Sequence, residues 1–270
     1  MKVAYIDGCS ITAGAEHRDW RMDEDGNEIS HTTWAAYVCN TINSTIKYMP
    51  RARSASSQSH IRRRSMFYLT ELLKDYKPKD ILFLCQWTEG IRFEFRVENP
   101  RNTTKVNTYD DNDEKHYLGA LSIDLPRVEN LGNALIPQKY RNHWLEKNKV
   151  KTIFNEIIFE HSQNTNWLYR SYNEIYCLRN FCKLHNIKML ETAGFGDIIG
   201  YDTNIDAEGD KFLQHLIDVV DVKNTIHHVD ENLGMVEYSR LHKFENGVGG
   251  HPLENAHRQW AIHFMEYNNL

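Results

Sequence analysis

The sequence predicts an α/β fold, a mostly parallel sheet with helices on both faces, and three observations carry that expectation. Short apolar runs read as strands at 2–7, 45–49, 81–85 and 187–190, and segments of helical period separate them. Strand and helix alternate in repeated order, which right-handed crossovers convert into a parallel sheet. The run Ile81-Leu82-Phe83-Leu84-Cys85 is apolar without interruption, as in a strand covered on both sides.

The first strand meets Gly8, a turn residue, at once. After the second, Ile61, Leu69, Leu72, Leu73 and Tyr76 recur at helical spacing until Pro78 ends the helix. Residues 99–149 are polar and rich in Asn and Asp; they read as an insertion or cap, part of it a small hairpin, because long structureless loops are rare in compact domains. Helical spacing resumes from 150 to about 161, and again through Leu168, Tyr172, Ile175 and Cys182. A helix at 211–220 and a short strand at 225–229 follow. A last helix opens after Pro252, with Leu253, Ala256, Trp260, Ala261 and Phe264 along one face. A chain of 270 residues with no internal repeat is expected to form one domain, 1–270.

Composition narrows the function. Hydrophobic residues make up 41% and charged residues 26%, which supports a packed core. The net charge of −5 argues against a nucleic-acid partner, and the basic run Arg62-Arg63-Arg64 reads as a solvated helix face. No apolar stretch nears the roughly 18 residues of a membrane span, so no membrane partner is expected. Asp7 interrupts the N-terminal apolar run too early for a signal peptide, and five scattered cysteines suit a reducing compartment. The expectation is a cytoplasmic protein. The sequence specifies no oligomeric state, and the spacing of Cys177 and Cys182 offers no metal site.

Two local patterns point to chemistry. Asp7-Gly8-Cys9-Ser10-Ile11-Thr12-Ala13-Gly14 places a serine in the turn between the first strand and a helix, at the sheet edge where ligands bind. There its hydroxyl is presented beside backbone N–H groups able to stabilise an oxyanion. The alternative is a capping serine. Gly249-Gly250-His251-Pro252 fixes an imidazole just before a Pro-initiated helix, a posture suited to a general base; the alternative is a surface loop histidine. His257 reads as solvated. A phosphate loop is disfavoured because Ala15 stands where its lysine would be needed.

Together these two blocks resemble the first and last blocks of the SGNH, or GDSL-type, hydrolase superfamily. The resemblance implies a three-layer α/β/α sandwich related to flavodoxin, with Ser10 as nucleophile and His251 as base. It implies an acyl-serine mechanism on a small-molecule or glycan ester, with no cofactor and no metal. The middle blocks match less closely. Ala55, in Ala55-Ser56-Ser57-Gln58, falls on the family's glycine slot, where a backbone N–H faces the oxyanion; the alternative is a helix start capped by Ser56 or Ser57. Thr88 falls on the Asn slot, with Gln86 the donor if the register slips by two; Arg92 and Glu94 downstream are further candidates to line the site, the alternative being a surface ion pair. Two departures stand out: Cys9 replaces the family's Asp, and Val248 occupies the slot of the acid that orients the histidine. His251 then needs a backbone carbonyl or another acid, such as Glu245. Members with a Gly-Cys-Ser turn and no signal are similar to phage-borne ones, which would place the chain in a host cytoplasm or a virion. Two rival readings remain: a scaffold that kept the fold and lost the chemistry, serving as a binding or virion component, and a nucleotide-binding or glycosyl-transferring α/β protein.

Overall fold

The computed structural model describes residues 1–24, 27–54, 56–90, 93–96, 117–121, 166–196, 211–230 and 232–270. Its centre is a parallel sheet of four strands: β1 (Val3–Asp7), β4 (Lys47–Pro50), β5 (Ile81–Trp87) and β8 (Lys188–Ala193), in the order β4-β1-β5-β8. Register pairs Tyr5 with Met49 on one side and with Phe83 on the other, and Leu84 with Leu190. Two small antiparallel pairs lie outside this sheet, β2 (Arg21–Met22) with β3 (Glu28–Ile29) and β6 (Phe93–Arg96) with β7 (Tyr117–Leu121). Of these strands only β7 falls within 99–149; the rest of that segment, like the helix expected at 150–161, lies outside the described residues.

Among the described residues the helices are α1 (Ser10–Ala13), α2 (Trp34–Ile42), α3 (Gln58–Asp75), α4 (Asn166–Leu184), α5 (Lys211–Val220), α6 (Val222–Thr225), α7 (Met235–Leu241) and α8 (Glu254–Asn268), with a 3₁₀ turn at Pro78–Asp80. They divide into two layers because successive side chains of a strand point to opposite faces. Val3, Tyr5, Ile81, Phe83 and Cys85 pack with Ile61 and Leu69 of α3 and Leu168, Tyr172, Ile175 and Leu178 of α4. Ala4, Ile6, Leu82 and Leu84 pack with Trp34 and Val38 of α2, Met235 of α7 and Trp260 and Phe264 of α8. The stretch Ile81–Cys85 of β5 is thus apolar on every residue because it serves two cores. Where the sequence suggests a strand at 225–229, the chain makes one parallel bridge, His227 to Thr192, held by Ala193 N–H to His227 O and His227 N–H to Glu191 O, both 3.0 Å.

Two charge readings are corrected by the tertiary structure. Arg64 is not solvated: its side chain and that of Asp7 are fully buried, and they form an ion pair. Its remaining donors reach Gly8 O, Ser56 Oγ and His60 Nε2 at 3.1, 3.1 and 3.2 Å, so every guanidinium proton has an acceptor. Tyr5 Oη and Ser65 Oγ, each at 2.8 Å, complete the Asp7 carboxylate. His257 is likewise fully buried between α8 and α2. Among the described residues no helix is long and apolar enough to cross a membrane.

Candidate active site

Parallel strands end on one edge, so the loops after β1, β5 and β8 meet there. Gly8 ends β1, Cys9 stands at the N-cap of α1 with extended backbone, and Ser10 is the first helical residue rather than the cap. As the first residue of the helix, Ser10 keeps a backbone N–H that has no intrahelical acceptor. Gly14 closes α1 in the left-handed region at φ 71°, and a Cβ there would lie 2.7 Å from Ser30 Cβ and 2.8 Å from Thr33 Cγ2, so only glycine fits. The chain then turns through Glu16, itself left-handed at φ 70°, a conformation that costs a non-glycine residue roughly 1 kcal/mol or more. From that turn the Glu16 side chain reaches the loop that carries His251.

His251 arrives from the other end of the chain. The loop that carries it is closed by Gly247 N–H to His251 O and Gly250 N–H to Gly247 O, both 2.9 Å, and by a bridge between Asn246 and Pro252. His251 Nε2 lies 2.9 Å from Ser10 Oγ, and Nδ1 lies 2.7 Å from Glu16 Oε2. A carboxylate can only accept, so the neutral ring carries its proton on Nδ1 and offers Nε2 to the serine hydroxyl. Glu16 Oε1 accepts from Gly249 N–H at 2.6 Å, and Oε2 from His251 N–H at 3.3 Å. Gly247 gives the carboxylate its room, since a Cβ there would sit 2.5 Å from Oε2. Partial burial works to raise the Glu16 pKa, but the hydrogen bonds from Gly249, the His251 ring and the His251 backbone outweigh it, and the group sits below the ordinary carboxylate value. Ser10 is 7% exposed, and the His251 and Glu16 side chains 27% and 28%.

This acid is the residue that sequence reasoning missed. The Val248 side chain is fully exposed, and Glu245 meets this loop through its backbone carbonyl, which accepts from Leu253 N–H at 3.1 Å. Neither carries the interaction of Glu16. The available signal was a carboxylate two residues past the glycine that ends the serine helix, but it lies 235 positions from the histidine it orients.

The other candidates are distributed as follows. Ala55 and Arg92 lie outside the described residues. Around Ala55 the loop is anchored by Arg53 N–H to Gly8 O at 3.3 Å and by Ser54, whose N–H and hydroxyl reach the Glu28 carboxylate at 3.0 and 2.7 Å. Ser57, not Ser56, caps α3, its Oγ accepting from His60 N–H at 3.1 Å. Gln86 is fully buried; its amide oxygen accepts from Thr12 Oγ1 at 2.7 Å and its NH₂ faces Met235 Sδ at 3.5 Å. Thr88 is buried too, its carbonyl taking the Gln58 amide at 2.8 Å while its Oγ1 has no hydrogen-bond partner among the described residues. Among those residues no group of three His, Cys, Asp or Glu side chains is arranged to hold a metal.

No family model matches the chain, and no curated protein does. Among solved structures it is similar to a member of the lipolytic protein G-D-S-L family from Veillonella parvula DSM 2008, with TM-score 0.42, 10% identity, and 98% of this chain and 97% of that one covered. It is also similar to a carbohydrate esterase family 2 enzyme with a carbohydrate binding domain from Corynascus thermopiles (Myceliophthora fergusii), with TM-score 0.42, 10% identity, and 100% and 67% coverage.

Proposed function

We propose that the protein is an SGNH-type serine hydrolase that cleaves an ester or related acyl group through an acyl-serine intermediate. The observation that carries this reading is the continuous chain Ser10 Oγ, His251 Nε2 and Nδ1, Glu16 Oε2, at 2.9 and 2.7 Å. Nucleophile, base and orienting acid stand in hydrogen-bond order, the geometric precondition for general-base activation of a hydroxyl.

In this mechanism Ser10 Oγ attacks the carbonyl carbon as its proton passes to His251 Nε2. The imidazolium that forms is stabilised by the Glu16 carboxylate, which stays ionised. The tetrahedral oxyanion takes hydrogen bonds from the N–H of Ser10 and from the uncommitted hydroxyl of Thr88. Gln86 is the less favoured donor, since Thr12 holds its amide oxygen and one proton of its NH₂ is directed at Met235 Sδ. Collapse breaks the bond to the leaving alcohol, which takes the proton from His251. Water, deprotonated by the same ring, then releases the acid and regenerates Ser10.

The scaffold alternative drew on the missing acid at Val248 and on Thr88 in the Asn slot, and Glu16 answers the first of these. A fluorophosphonate probe decides between the two: the hydrolase reading expects one adduct per chain, mapped by mass spectrometry to Ser10 and lost in S10A and H251A. Absence of labelling in the folded wild-type protein across neutral pH would overturn the hydrolase reading and weigh for the scaffold. S10A and H251A are expected to keep the wild-type melting temperature to within a few degrees, because neither side chain fills a core.

A further inference from the structure

Two histidines outside the proposed reaction sit directly behind the site, one beside each of its sequence-distant halves. His17 follows Glu16, and its Nε2 lies 3.3 Å from the carbonyl oxygen of Pro252, which follows His251. His257, in the second turn of α8, meets the His17 ring edge to face, centroids 4.3 Å apart at 87°. They are 5% and 0% exposed.

The chemistry of their partners fixes both tautomers. A carbonyl only accepts, so His17 Nε2 carries a proton. A backbone N–H only donates, and Trp34 N–H gives to His257 Nδ1 at 3.0 Å, so the His257 proton is on Nε2. That Nε2–H has no hydrogen-bond partner among the described residues, and His257 meets the pair through the edge of the His17 ring. On its far side His17 Nδ1 lies 3.0 Å from Thr32 Oγ1 and 3.3 Å from Ser30 Oγ, both also within reach of Asp19 Oδ1 at 2.9 and 2.6 Å. The Thr32 hydroxyl has one proton to give: to the ring when His17 is neutral, to Asp19 when it is charged. Burial, the largest influence, lowers the pKa of both rings. Glu254, the Pro252 carbonyl and Asp19 draw His17 back up while His251 opposes it; for His257 the neighbouring His17 and His251 add to the lowering. Two neutral rings therefore face the loop. A lysine or arginine in their place would add a positive charge beside an imidazole that must itself become cationic during the reaction.

We propose that His17, backed edge to face by His257, is a positioning residue that clamps the Pro252 carbonyl and so keeps His251 in line between Ser10 and Glu16. This rests on the hydrolase reading of the same site. Misplacing a reacting group by about 1 Å costs on the order of 10²-fold in rate, so the clamp is visible in kinetics.

The test compares H17Q, which can still donate where Nε2 did, with H17N, which cannot reach Pro252, and H17F, which fills the space without either bond. H257N, whose Oδ1 can still accept from Trp34 N–H, tests the second ring. Each variant is measured for the rate constant of Ser10 labelling by fluorophosphonate, for the His251 Nδ1–H resonance by NMR, and for thermal stability. H17N and H17F are expected to label at least about tenfold more slowly while folded, with the His251 Nδ1–H signal shifted or lost to exchange. H17Q is expected to recover most of the rate, and H257N to show a smaller slowing. Folded H17N and H17F that label at the wild-type rate with an unmoved His251 resonance would overturn the clamp. So would an H17Q variant no better than H17F. Should the wild-type chain fail to label at all, the hydrolase reading falls, and the His251 resonance alone then decides whether the clamp exists.

Discussion

At the scale of single residues, Glu16 is where the site is most exposed to test. E16Q keeps the size of the side chain but offers an NH₂ to His251 Nδ1, which draws the ring toward the tautomer that cannot accept from Ser10. Turnover of a chromogenic ester is expected to fall on the order of 10³- to 10⁴-fold with KM little changed. Because Val248 points into solvent, V248D is expected to leave turnover within about twofold of wild type and to give no rescue when combined with E16Q, a comparison that steady-state kinetics makes directly. The Glu16 pKa is depressed in the folded state, so its share of loop stability is present above the ordinary carboxylate value and lost as pH falls through the lower folded value. Acid should therefore loosen the loop at 247–251 first, which amide exchange of Gly249 would register.

At the scale of elements, the serine helix is short and its end is dictated by Gly14. G14A forces a Cβ into Ser30 and Thr33 and removes the ease of a positive φ, so it is expected to lower stability by at least about 1 kcal/mol, read from urea unfolding. It should lower turnover further by moving Glu16. The junction of β8 with α8 gives a second test. Burial is the main cause, with His228 and His263 adding, of a His227 pKa lowered to about 3. Its Nδ1 meets Thr192 Oγ1 at 2.9 Å, and Trp260 Nε1 donates to the same hydroxyl at 3.0 Å. An imidazole with a lowered folded pKa is protonated more readily when unfolded. Stability is therefore constant above the unfolded value near 6.5 and declines between there and about 3, by up to about 1.4 kcal/mol per pH unit. H227F, which keeps an aromatic ring among Trp260, Phe264 and Tyr267, is expected to flatten that decline in melts run from neutral to acid pH.

At the scale of the molecule, the buried Asp7–Arg64 pair joins the edge of the sheet to the loop that precedes α3, because Arg64 also holds Gly8 O and Ser56 Oγ. Removing one partner strands the other charge in the core. R64M alone is expected to cost about 3 to 5 kcal/mol, and D7N combined with R64M clearly less, which a double-mutant cycle by denaturant unfolding measures. The layers themselves were legible in the chain. The period of Ile61, Leu69 and Leu72, the uninterrupted run at 81–85 and the striped helix after Pro252 each state which faces are apolar, and the buried faces follow them. What misled was charge: Arg64 and His257 read as solvated because a periodic pattern counts polarity and cannot see that a partner waits inside.

The sequence by itself determined the two-sided sheet, and it placed a serine turn after the first strand and a histidine loop before the last helix, because strand and helix periods and turn residues are local properties. Only the tertiary structure decided which carboxylate serves that histidine. Residues 16 and 251 become neighbours only when a parallel sheet gathers its strand ends on one edge, and a hydrogen bond depends on that proximity, not on order along the chain.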